Sequence, residues 1–162
     1  MFSHCIGGGT KQEGFIFIMR VSEIKVSYSS NNSEQVKIVS SETAYEVVLE
    51  HWDKDIIEFQ EEIKVLLLNR ANMVLGIYNL SKGGVSGSIL DVKIVLSVAL
   101  KCNASSIIIV HNHPSGNLTA STSDMSITSK LKEACKTLDL SLLDHLIISK
   151  DSFYSMNDNG LI

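Results

Sequence analysis

The chain has 162 residues, 44% of them apolar and 20% charged, which suits one globular domain with a proper core and leaves little room for a second. Fourteen basic against eighteen acidic side chains give a formal charge of −4 and a pI near 5.7, so bulk charge offers no attraction to a polyanion, and no Lys/Arg cluster with interleaved aromatics replaces it. Cys5, Cys102 and Cys135 are odd in number, far apart and form no C-x-x-C pair, which indicates neither a disulfide framework nor a cysteine zinc site and points to a reducing, cytoplasmic setting.

Residues 1–18, with "IGGGTKQEG", read as a disordered leader ahead of Met19. The apolar "GFIFIM" is too short for a membrane span and too uncharged at its front for a secretory signal. Residues 19–41 form a peripheral N-terminal strand segment: "RVSEIKVSYSS" and "QVKIVSS" alternate on either side of "SNNSE", the pattern of a hairpin. A third unit, 42–162, carries the rest. Thr43-x-x-Glu46 reads as a capping box, and Ala44, Val47, Val48, His51 and Trp52 recur at helical spacing, predicting a helix over about 42–54. His51 has no ligand-spaced partner and reads as a packed or half-exposed helix residue.

"EEIKVLLLN" and "MVLGIYNLS" flank Arg70-Ala71-Asn72 as two apolar strands around a tight turn. The glycines of "GGVSGS" mark a bulge or a close backbone approach. After Asp91, "VKIVLSVALKC" is apolar on nearly every side, predicting a helix buried between layers. "SSIIIVH" reads as an interior strand. Ser121 opens a helix with Ile127, Leu131, Ala134, Cys135 and Leu138 on one face, and Cys135 reads as a small buried hydrophobe. "LSLLDHLIIS" and "SFYSM" close the chain as strands. This order predicts an α/β fold, an α-β-α sandwich with a mixed central sheet.

The chemistry concentrates in "VHNHPSGNLTASTSD", Val110 to Asp124. On a strand His111 and His113 share a face while Asn112 takes the other, and Pro114 ends the ladder. Ser121 and Asp124 stand at the next helix start. They make a competent cap by themselves, but the turn "PSGN" can also return the carboxylate to the two imidazoles. Two imidazoles and a carboxylate are a three-ligand set for tetrahedral zinc with the fourth position open to water, as in catalytic sites.

The spacing of His111-x-His113, seven residues, then Ser121-x-x-Asp124 resembles the signature of the JAMM (MPN+, JAB) metalloproteases, whose fold is cytidine-deaminase-like. The wording around "HNHPSG" is similar to the RadC branch. "EEIKVLLLN", "GGVSGS", the helix before the motif, "LLDHLII" and the terminal "GLI" extend the likeness over about Glu42 to Ile162.

The resemblance implies a zinc-dependent hydrolase that cleaves an amide, peptide or isopeptide bond with metal-activated water, using one zinc ion per chain and a peptide or protein substrate. It assigns His111, His113 and Asp124 as zinc ligands and gives Ser121 the developing oxyanion or the bound water. Glu61 would be the proton-transferring base, with Glu62 in reserve; neighbours on a strand face oppositely, so only one of them can serve. Asp144-His145 stands either behind the ligands or in the frame. Two departures follow. Asp91-Val92-Lys93 occupies the place of a "PRE" segment, which favours Glu61, and nothing in residues 1–41 resembles the helix-hairpin-helix DNA-binding module of longer RadC proteins. The alternatives are a DNA-binding or DNA-processing protein associated with DNA repair, and a catalytically silent interaction domain. A zinc deaminase would need H-x-E and P-C-x-x-C, which are absent.

Overall fold

The computed structural model describes residues 27–29, 36–83 and 89–162. The expected leader, most of the segment 19–41 and most of "GGVSGS" lie outside the described residues. Of the expected hairpin, the described part contributes an isolated antiparallel bridge between Lys37 and Met73 and a hydrogen bond from the Tyr28 hydroxyl to the Leu75 carbonyl.

Helix α1 spans Ser41–Glu50, capped by Ser40, whose hydroxyl accepts from the Thr43 amide. The cap is therefore three residues earlier than the Thr43-x-x-Glu46 reading, because a serine in extended conformation immediately before the helix satisfies a free N–H first. The helix ends before His51, which is exposed, while Trp52 is buried beyond it.

Strand β1 (Glu62–Leu68) is buried along its whole length. It pairs antiparallel with β2 (Val74–Lys82) on one side and with β3 (Ser106–Asn112) on the other. Asn72, at φ 58°, makes the left-handed turn between β1 and β2, a conformation asparagine tolerates better than most residues. Helix α2 (Val92–Lys101) carries the chain from β2 across β1 to β3. Helix α3 (Thr122–Thr137) then joins β3 to its parallel neighbour β4 (Ser141–Ile148), and β5 (Phe153–Ser155) closes the edge. The order β2-β1-β3-β4-β5 makes a mixed five-stranded sheet.

Strand alternation sorts the core into two halves. Ile63, Val65, Leu67, Ile107 and Ile109 meet Val95 and Ala99 of α2 and Leu131 and Cys135 of α3. Leu66, Leu68, Ile108 and Val110 meet Ala44 and Val48 of α1 together with Trp52 and Ile57. The α/β sandwich expected from the element order is thus present, with helices on both faces of the sheet. Helix α2 departs from expectation: Ile94 and Leu100 are exposed, because one layer of sheet covers only one side of a helix and nothing described packs on the other. Burial pushes the Cys135 thiol up to about 11, in keeping with an inert core residue.

Candidate metal centre

β3 delivers the first donor. His111 is the last inward residue of its α3-facing side, opposite Ile63 of β1 and Ile147 of β4, and is 2% exposed. His113 lies just past the strand, its backbone N–H donating a hydrogen bond to the Ile148 carbonyl at 3.1 Å. Its ring donates through Nδ1 to the Asn117 carbonyl in the following turn, so Nε2 carries the lone pair. That atom lies 3.0 Å from His111 Nε2.

The third donor comes from the start of α3. Ser121 and Asp124 form a reciprocal capping box, and the Ser121 hydroxyl and amide donate to Asp124 Oδ2 at 2.6 and 2.7 Å. This leaves Asp124 Oδ1 at 3.6 Å from His111 Nε2, while Oδ2 is 4.0 Å from His113 Nε2. Burial pushes the Asp124 carboxyl up, but the two Ser121 donors and the charge of nearby His111 outweigh it and hold it below its ordinary value. The cap and the site are therefore one structure: the bonds that close the helix also aim the carboxylate.

One donor atom each from His111, His113 and Asp124 lie within 4.8 Å of one another, so the group could hold a metal ion. The donor set fits such an ion chemically. Two imidazole nitrogens and a carboxylate oxygen converge without a fixed cationic side chain among them, and two ring nitrogens 3.0 Å apart are better separated by a cation than left facing each other.

The two candidate bases part company. Glu61 lines the same cavity as His111, Asp124 and His145, with Ile63, Leu90 and Ile127 as its apolar wall, and its charge acts on His111. Glu62 faces the α1 side, 2.6 Å from Lys82 Nζ and 3.7 Å from Lys64 Nζ.

The segment that presents Glu61 is pinned by Asn112, the middle residue of "HNH". Its amide oxygen accepts from the Glu62 N–H at 2.7 Å and its NH2 donates to the carbonyls of Ile57 and Gln60 at 2.7 and 2.9 Å. Strand alternation places Asn112 on the face opposite the two histidines. A buried asparagine must find partners, but nothing in the sequence says which ones. Asp144 and His145 also separate. Asp144 accepts from Ser155 and Asn157 at the β4–β5 corner, whereas His145 faces the site, its Nε2 2.8 Å from His111 Nδ1.

Burial pushes His111 down to about 4 and His145 down to about 3, each also lowered by neighbouring imidazoles and partly offset by Asp124. Both folded-state values lie below the ordinary ~6.5, so the unfolded chain binds more protons at acid pH. The metal-free protein is expected to keep its full stability above about pH 6.5 and lose it as pH falls through about 4 for His111 and about 3 for His145, at up to ~1.4 kcal/mol per pH unit per histidine. Urea unfolding with chelator present at several pH values tests this; a midpoint unchanged across that window would contradict it.

Fold and donors define an α/β domain with a His-His-Asp candidate metal centre on the α3-facing side of its sheet. Comparison with known proteins narrows the class. The family described as "RadC-like JAB domain" matches residues 38–161, and the chain belongs to that family. It is 46% identical over 101 residues to a UPF0758 protein of Flavobacterium johnsoniae, covering 62% of this chain and 44% of the relative. UPF0758 proteins of Clostridium kluyveri (35% over 146 residues, 90% of this chain, 63% of the relative) and Clostridium botulinum (36% over 155 residues, 96% and 66%) are also similar. The chain thus spans between 44% and 66% of the length of these curated relatives. Among the described residues, no helix is long and apolar enough to cross a membrane.

Proposed function

We propose that this domain is a zinc-dependent hydrolase of the JAMM metallopeptidase type, cleaving a peptide or isopeptide bond. The observation that carries the reading is the cavity lined jointly by Glu61, His111 and Asp124, which brings a carboxylate to the same opening as two of the three candidate ligands. A zinc ion held by His111, His113 and Asp124 would acidify a water molecule and polarise the scissile carbonyl.

The chain's own residues supply the rest. A carboxylate oxygen of Glu61 takes the proton of the attacking water and returns it to the departing amine. Ser121 holds the Asp124 carboxylate through its hydroxyl; the family resemblance assigns that hydroxyl to the developing oxyanion or the bound water, and its single proton would turn from the carboxylate to serve the oxyanion. Ile63, Leu90 and Ile127 give the cavity an apolar wall against which a substrate side chain can pack.

Metal analysis of the purified chain, combined with a peptide and isopeptide library screen, tests the reading. One zinc per chain and cleavage abolished by a chelator are the expected results. Stoichiometric zinc with no amide cleaved across the library would overturn the hydrolase and favour a silent interaction domain.

A further inference from the structure

The hydrogen bonds behind His111 form a directed chain, and the direction decides which nitrogen of that ring is able to bind a cation. It starts at Thr128, one turn along α3 from Asp124. The Thr128 hydroxyl has one proton, and the Asp124 main-chain carbonyl 2.6 Å away can only accept it. With its proton directed to that carbonyl, Thr128 Oγ1 is left with lone pairs and accepts from His145 Nδ1–H at 2.5 Å. His145 Nε2 then bears the lone pair and accepts from His111 Nδ1–H at 2.8 Å. The remaining lone pair of His111 is then on Nε2, facing Asp124 and the lone pair of His113 Nε2 at 3.0 Å, a repulsion that a cation between the rings relieves. Thr128, His145 and His111 are each 2% exposed, so bulk water does not stand in for a missing partner.

We propose that Thr128 and His145 are positioning residues that lock the metal-free His111 in the tautomer with Nε2 unprotonated, so that the site accepts a divalent cation without first relocating a proton. The inference rests on the metal-centre part of the proposed function and not on its hydrolytic part.

Metal-binding histidines commonly give their second N–H to a carboxylate or carbonyl, which only accepts. Here the acceptor is another neutral imidazole, which can reverse. Without the Thr128 hydroxyl, His145 is free to carry its proton on Nε2, donate to His111 Nδ1 and drive the His111 proton onto the atom the cation needs. The threonine makes the relay one-way. Because the relay ends on the carbonyl of Asp124 itself, the same bonds also tie His111 to the residue that supplies the carboxylate.

The test is long-range 1H–15N NMR of the full chain labelled at histidine, metal-free and at neutral pH, with zinc affinity measured by competition against a chromophoric chelator. Wild type is expected to show His111 protonated at Nδ1 and His145 protonated at Nδ1. Thr128→Val should reverse or average that pattern and weaken zinc binding by about 10- to 100-fold, while Thr128→Ser retains both the pattern and the affinity. A wild-type His111 protonated at Nε2 overturns the proposal, and that spectrum decides even if Thr128→Val does not fold. So does a folded Thr128→Val with unchanged tautomers and unchanged affinity. A chain with the expected tautomers that binds zinc but cleaves no amide upholds the lock and overturns only the hydrolase reading.

Discussion

His113→Ala is expected to yield a folded protein that no longer holds stoichiometric zinc. The ring lies beyond the end of β3 and its side chain retains 19% exposure, so its removal opens no closed core cavity. The loss is one of three donors, and the remaining pair, His111 Nε2 and Asp124 Oδ1 at 3.6 Å, cannot close a three-ligand set. His111→Ala is the poorer probe. It would empty a site 2% exposed and strip His145 of its ring partner, mixing metal loss with a destabilisation of about 2–4 kcal/mol from cavity and lost bonding. Metal analysis beside a thermal unfolding curve separates the two effects. A His113→Ala chain that binds zinc with wild-type stoichiometry would remove His113 from the ligand set.

Glu61→Gln and Glu62→Gln are expected to fail in different ways although the residues are adjacent. Glu61→Gln keeps size and hydrogen-bonding shape but removes the proton acceptor from the cavity. Turnover should fall by about 10²- to 10⁴-fold with zinc content and unfolding midpoint near wild type. Glu62→Gln instead withdraws the negative charge facing Lys64 and Lys82. Lys64 is 6% exposed and keeps its bond to Asn79 Oδ1 at 2.6 Å and its place 4.7 Å over the Trp52 ring, but no longer faces the Glu62 charge. Lys82, whose side chain is 58% exposed, rehydrates. A stability loss of about 2–3 kcal/mol follows, below what breaking a fully buried pair costs, with turnover per folded molecule retained. The opposite pattern, turnover lost with Glu62→Gln and kept with Glu61→Gln, would exchange their roles.

Much of this domain is legible along the chain. The continuous apolar runs of β1 and β3, buried along their whole length, the helical spacing of α3 and the turn residues between them report local backbone preference and hydrophobic content, which a segment carries wherever it ends up. The donor set is legible for the same reason: His111, His113, Ser121 and Asp124 sit on one strand end and the next helix start, within fourteen consecutive residues of each other. Ser121-x-x-Asp124 is written locally as a cap, and the structure keeps it as one.

Pairing across the sheet decided the remainder. The orientations of Glu61 and Glu62 depend on the register of Ile63 against His111 and on Asn112 gripping a segment some fifty residues earlier in the chain, a relation that no local period encodes. Thr128 reads as one more helix hydroxyl until β4 brings His145 against it, and only then does its single proton acquire a direction. Helix α2 shows the converse, since "VKIVLSVALKC" is apolar on nearly every side while the described residues cover one side of it. Hydrophobic pattern records how much a segment is able to bury, and the packing of layers determines how much it does bury. The sequence by itself determined the α/β order, the three candidate ligands and their helix cap; the tertiary structure alone brought Glu61, His145 and Thr128 to them, because side-chain direction at a site is set by contacts between elements distant in the chain.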